Sequence, residues 1–379
     1  MRGLTPLEQG AEQLSQRERL ILQAVVHSYI TTAEPVGSRA VVKRFGLDIS
    51  PATVRNVMAD LEEAGYLKQL HTSSGRVPTD KGYRYYVDYL MCVQELTRAE
   101  RARIQEELSE RLNDADEVIR HTSRLLALTS HQMGLVEVPD ERNAEICRIE
   151  MLPIGTCRVG VILVDNYGRV RSLVAKLDES LPAEGVQRIG RFLDANFRGV
   201  SMLGLHAAVS ARTASFQDEQ RRLAEQALRV LALMPPSRQG EVILEGTAQL
   251  FEQPEFQDMD RARQVFGFFE EHDRLVELIR SAIRDGEPLR SSIVIGSEVP
   301  DDELHEISIV VSPYCVGEQA AGVVGVIGPR RMPYSRLSGL VEYTAALLGS
   351  YLTGIAGIST DEDVGTNPRV GGPSDGNHD

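Results

Sequence analysis

Arg55 and Asn56 are the residues in this chain best suited to recognition chemistry. A guanidinium can donate two parallel hydrogen bonds to guanine, and a carboxamide can pair with adenine in the same two-point way. Both fall in the stretch Ile49–Tyr66, which is punctuated as a helix. Ser50 is an N-cap whose hydroxyl can accept from a free first-turn amide. Pro51 sits at the first helical position, where a missing N–H costs nothing. Gly65 supplies the left-handed residue beyond the last turn. Val54, Val57, Met58 and Leu61 recur at i, i+3, i+4 and i+7 and predict one buried stripe. The opposite face then carries Ala52, Arg55, Asn56, Ala59 and Glu63, with the acids at the far end. That polarity suits a helix entering the DNA major groove by its N-terminal half.

Other constellations in the chain are weaker. Gly322, Gly325 and Gly328 make a glycine-rich run, but no Lys-Ser/Thr follows and Pro329 breaks the helix that a phosphate loop needs. Close strand packing and a tight turn explain them better. Asp301, Asp302, Glu303, His305 and Glu306 match no metal-loop spacing and read as a solvated hairpin tip. His272-Asp273 reads as part of a charged helix face. No GxSxG, HExxH or Cys/His nucleophile arrangement occurs, so a hydrolase or transferase is disfavoured. No cofactor or metal site is expected. The four cysteines, Cys92, Cys147, Cys157 and Cys315, form no CxxC pair and suggest reduced thiols in a cytoplasmic protein.

The elements that would position Arg55 and Asn56 are legible on either side. Ser15 and Glu18 form a capping box for a first helix running to about Ile30. Glu34-Pro35 interrupts the chain, and Val36–Phe45 reads as a second helix closed by Gly46. Three short helices with tight breaks form the helix-turn-helix pattern. Tyr66–Leu70 and Arg76-Val77 read as strands about the turn cluster His71–Gly75, which makes a wing. Contacts to phosphate or groove are expected from Arg39, Ser50, Ala52, Thr53, His71, Ser73 and Arg76. Thr79 caps a further helix whose Tyr83, Tyr86 and Leu90 share a face. Packing onto the preceding helices is a better account of these tyrosines than base stacking.

The 379 residues carry a net charge of −14, so the overall field repels nucleic acid and any contact must be local. Residues 15–90 hold ten Lys/Arg against eight Asp/Glu, a net of +2, which leaves −16 for the rest. So mild a basic balance predicts that affinity needs two copies on one DNA. No stretch approaches the roughly 20 apolar residues of a membrane span.

Beyond residue 95 a helical pattern runs to about His131, with a break at Asn113-Asp114. Strands follow at Ile146–Met151, Thr156–Val164 and Val170–Val174, with a turn at Asp165–Gly168, and a helix near Ala183–Phe197. Helical periodicity occupies Phe216–Met234 and Met259–Ile283. Strands resume at Ser292–Ile295, His305–Val311 and Gly322–Pro329, before a closing helix at Ser335–Gly354. This order predicts one antiparallel α/β domain interrupted by a mostly helical insertion. The expected division is a flexible tail at 1–13, a winged helix-turn-helix at 14–94, the α/β domain at 95–204 and 286–358, the insertion at 205–285 and a disordered tail at 359–379. The fold class is α+β, multidomain.

Several long motifs carry a family resemblance: Glu34–Ser38, Ser50–Asn56, Ala59–Glu62, Gly65–Leu67, His71–Ser73, Gly75-Arg76 and Pro78–Tyr86. Pro254–Phe256, Ile295–Glu298, Gly325–Met332 and Tyr334 extend it across nearly the whole chain. The sequence resembles HrcA, the bacterial heat-inducible transcription repressor family. The resemblance implies a GAF-like α/β domain, an inserted dimerising domain, an inverted-repeat operator in double-stranded DNA bound by a homodimer, control of chaperone genes, and dependence on the chaperonin GroEL. An alternative is a small-molecule-gated regulator using the GAF-like domain, by fold analogy alone.

Overall fold

The computed structural model describes residues 14–70, 75–109, 114–140, 144–178, 180–233, 240–283 and 290–357. The two tails of the sequence reading and the hairpin tip, with His71 and Ser73, lie outside the described residues.

The chain opens with three helices, α1 (Gln16–Thr32), α2 (Ser38–Phe45) and α3 (Pro51–Glu63). A two-stranded antiparallel hairpin follows, β1 (Leu67–Gln69) and β2 (Arg76–Pro78), with Lys68 opposite Val77. Then come α4 (Asp80–Tyr85), prolonged by a π-turn over Tyr86–Leu90, α5 (Arg98–Ser109) and α6 (Ala115–Ser130). Of the break expected at Asn113-Asp114, Asn113 lies outside the described residues and Asp114 directly precedes α6. Asp114 caps α6 by accepting from the Asp116 amide at 3.0 Å. The helices and hairpin of residues 15–90 are called the head below.

The next strands are β3 (Met133–Glu137), β4 (Ile146–Gly155), β5 (Arg158–Asp165) and β6 (Val170–Lys176). The helices α7 (Ala183–Phe197), α8 (Leu205–Thr213) and α9 (Asp218–Leu231) come next, and then β7 (Val242–Glu245), α10 (Thr247–Phe251), α11 (Met259–Glu270) and α12 (His272–Ala282). The chain closes with β8 (Ser292–Ile295), β9 (Ile307–Val316), β10 (Gln319–Pro329) and α13 (Tyr334–Ile355).

Strands β3 to β10 form two separate sheets. One has the order β7-β3-β10-β9-β8 and the other β4-β5-β6, all antiparallel. The sequence reading grouped the strands of residues 146–176 with those of 292–329, and the structure corrects this. Strands β4 to β6 pack on α7, α8 and α9 around Val161, Leu163, Ile189 and Phe197. The segment placed in the insertion, 205–285, splits. Its α8 and most of α9 belong to that smaller sheet, while β7 pairs with β3 at the edge of the larger one. Alternation tells which residues of a strand are inside, but it does not say which strand is the neighbour.

The five-stranded sheet is covered on both faces, which explains the nearly continuous apolar runs in β9 and β10. Val310, Val324 and Val326 face one core, shared with α6, α13 and the head. Ile309, Val311, Val323 and Ile327 face a second core with α11 and α12. The glycine-rich run lies inside β10. A Cβ at Gly325 would come 2.4 Å from the Val310 carbonyl oxygen, and one at Gly328 would come 2.0 Å from Gln132 Oε1. Close packing, as expected, accounts for both. Asp301 accepts from the Glu303 amide at 3.1 Å, and Glu306 pairs with Arg330 at 3.0 Å. Among the described residues no helix is long and apolar enough to cross a membrane.

Candidate nucleic-acid interface

Helix α3 is held at both ends by the residues expected to hold it. Ser50 has an extended backbone, its Oγ accepts from the Thr53 amide at 3.1 Å, and the two hydroxyls lie 2.9 Å apart. At the other end Gly65 adopts φ +78°, where a side chain would be strained. The Tyr66 amide then reaches back to the Leu61 carbonyl at 2.9 Å, and the Gly65 amide to Glu62 at 3.0 Å. These two bonds close the helix with a Schellman motif.

The predicted stripe is buried. Val54, Met58 and Leu61 are at most 1% exposed, and Val57 is 9% exposed. They join the core formed with Ile21, Leu22 and Val25 of α1 and Val41 of α2. Burying that stripe forces the opposite face outward. Ala52, Arg55, Asn56, Ala59 and Asp60 are exposed, and Thr53 is half-buried. Neither the Arg55 nor the Asn56 side chain is engaged in a hydrogen bond or ion pair among the described residues. Arg39 is exposed on the first turn of α2. A helix carrying a free guanidinium and a free carboxamide one residue apart can address base edges, and the capped N-terminus favours nearby phosphate.

Arg76, expected to contact phosphate or groove, is engaged within the head. It opens β2 opposite Gln69, in the last pair before the turn, where its Nε donates to Glu62 Oε2 at 2.8 Å and its side chain is 16% exposed. Its amide and carbonyl both bond to Val36 at 2.9 Å. Glu62 also accepts from the Gln69 amide at 3.1 Å. Arg76 and Glu62 therefore tie the hairpin to α3 and to the α1–α2 turn. No periodicity could reveal that pairing, because it spans 14 residues across a turn. Exposed Lys43 and Arg44 end α2, beside a groove of about 420 Å3 that Glu34 and Ala40 also line. They were not among the expected contacts, although the adjacent pair of cations was a visible signal. Tyr83, Tyr85 and Tyr86 are buried, which agrees with packing rather than stacking on bases.

Comparison with known proteins settles the family. Residues 116–337 match the model for the HrcA protein C terminal domain. The chain belongs to the HrcA family. The heat-inducible transcription repressor HrcA of Geobacter sulfurreducens is 40% identical over 341 residues, covering 90% of this chain and 99% of that protein. The protein of the same name from Syntrophobacter fumaroxidans is 37% identical over 345 residues, covering 89% and 97%. A 2.2 Å crystal structure described only as a hypothetical protein superposes with a TM-score of 0.61 at 23% identity, covering 90% of this chain and all of that one. It supports the mixed helix and sheet fold along the chain. As an HrcA-family member the protein is a transcription repressor and not an enzyme.

Proposed function

We propose that this HrcA-family chain is a sequence-specific repressor of heat-shock chaperone genes that reads an inverted-repeat operator as a homodimer. The head acts as a winged helix-turn-helix, with α3 in the major groove and the hairpin as the wing. The observation that carries this reading is the outward face of α3. Ala52, Arg55 and Asn56 stand free on a helix whose other side is sealed into the core. Arg55 and Asn56 contact base edges, while Arg39, Ser50 and Thr53 contact phosphate. His71 and Ser73 belong to the wing and make backbone or minor-groove contacts. Arg76 contributes by fixing the angle of the hairpin.

The larger sheet with its two helical layers is the GAF-like domain in this reading. The unit around β4, β5 and β6, roughly residues 144–233, is the inserted dimerising domain, in place of 205–285. The outer face of that smaller sheet exposes Leu152, Ile154, Val170 and Val174. Such a face needs a covering partner, and it gives the chaperonin GroEL a surface to bind when it is uncovered. The protein acts in the cytoplasm, where repressor capacity follows free chaperonin.

The test is fluorescence anisotropy with a labelled inverted repeat from a chaperone promoter, a single half-site and a scrambled duplex, over a salt series. Tight binding to the full repeat, much weaker binding to the half-site and little to the scramble is the expected result. Equal, weak and salt-sensitive binding to all three overturns the proposal, because it would reflect phosphate attraction alone.

A further inference from the structure

The motif Thr79–Tyr86 turns away from the exposed face of α3 and packs on three other motif stretches distant in sequence. Asp80 Oδ2 accepts from the Ser297 amide at 3.0 Å, and its Oδ1 accepts from Arg330 Nη1 at 3.0 Å. One helical turn later, Arg84 pairs with Glu298 through Nε at 2.6 Å and donates from Nη2 to the Ile293 carbonyl at 2.7 Å. Arg331 donates to Glu255 at 2.6 Å, to Gln253 at 2.9 Å and to the Ile30 carbonyl of α1 at 3.3 Å. The Tyr83 ring meets Tyr334 edge-on, with centroids 6.0 Å apart. Gly296 makes the approach possible. Its φ is +50°, and a Cβ there would lie 2.6 Å from the Asp80 carboxylate.

The signs of these charges encode an orientation. Asp80 and Arg84 are four residues apart on one face of the head, and each meets its opposite on the body. A slip by one turn would set Asp80 against Glu298 or Arg84 against Arg330, and like charges would face each other. The seam therefore accepts one docking register and rejects its neighbours. It also leaves the reading face of α3 open, since Arg55 and Asn56 stay exposed with the head docked.

We propose that this seam fixes the angle of the head on the body and so sets the half-site spacing that the dimer accepts, with Asp80, Arg84, Arg330 and Arg331 as positioning residues for operator recognition. The inference rests on the dimeric DNA-binding reading given above. A dimer with rigid heads tolerates one separation of half-sites, whereas loosely tethered heads tolerate many at a lower effective concentration.

The experiment uses the full chain and the single variants Arg330→Gln and Arg84→Gln. Binding is measured to a half-site and to inverted repeats whose central spacer is lengthened or shortened one base pair at a time. Amide exchange at Ser297 and Gln94 reports whether the seam has opened, since the Gln94 amide bonds the Ser335 carbonyl across it at 2.9 Å. The wild type is expected to show a sharp optimum in spacing. In both variants affinity at the optimum should fall about tenfold and the profile flatten, with half-site affinity held within about twofold. Faster exchange with an unchanged spacing profile overturns the inference and leaves the DNA-binding reading standing. Tighter binding at every spacing also overturns it, because the seam would then be inhibitory. A wild type that fails to prefer the full repeat over the half-site overturns the DNA-binding reading itself, and the seam's role with it.

Discussion

Replacing Arg55 by Ala removes a side chain that is exposed and unpaired, so the loss should appear in recognition and hardly at all in folding. A surface substitution of this kind shifts stability by no more than about 0.5 kcal/mol. A bidentate contact to guanine is worth about 1–3 kcal/mol of discrimination. The proposed dimer places one such contact in each half-site, which gives about 2–6 kcal/mol on the full operator. At about 1.4 kcal/mol per decade this is a weakening of roughly 30-fold to 20,000-fold. On a half-site the loss should be only the square root of that factor. The assay is anisotropy against the operator and against versions carrying each base pair substituted in turn, with thermal unfolding run in parallel. Arg55→Lys adds a second arm. It retains the charge but not the planar fork, so it should keep the salt dependence and still lose the base preference. Unchanged affinity and unchanged base preference in Arg55→Ala, in a variant that unfolds like the wild type, would refute the base-reading role of α3.

Three further outcomes are expected. Ser50→Ala deprives the Thr53 amide of its cap and should cost about 0.5–2 kcal/mol of stability in denaturant titration. If Arg76 acts through Glu62, Glu62→Gln should reproduce the loss of operator affinity in Arg76→Ala, and neither should change the slope of affinity against salt; a shallower slope in Arg76→Ala alone would mean direct phosphate contact. The seam should open in acid. Burial pushes the Asp80 carboxyl upward, but the Ser297 amide and Arg330 outweigh it and hold the group below its ordinary 3.8. Docking is therefore favoured above that value and loses this contribution as pH falls through the lowered one, so amide exchange at Ser297 should rise there and Asp80→Asn should abolish the dependence.

The head was the most legible part of the chain, because its signals are local. A capping serine, a proline after it, a closing glycine and a 3.6-residue stripe together specify where α3 starts, where it stops and which side is buried. Once Val54, Val57, Met58 and Leu61 go inward, Arg55 and Asn56 must face out, and the structure places them there. Most strands were found too, and the hairpin of Thr156–Val164 with Val170–Val174 pairs as expected, but the two groups of strands placed in one domain lie in two sheets. Residues 242–245 were hidden inside what reads as a helical segment, yet they pair with residues 134–137. A three-residue apolar run, residues 242–244, has no period of its own to betray it.

Sequence alone determined the family and the helix that presents Arg55 and Asn56, since both are carried by local motifs. Only the tertiary structure decided which strands share a sheet, that Arg76 is spent on Glu62, and that the motifs at 79–86, 254–256, 295–298 and 325–332 meet in one seam. The physical reason is range. Caps, stripes and turns act over a few residues, whereas an ion pair such as Asp80 with Arg330 joins positions 250 apart, and nothing in the spacing of the sequence announces it.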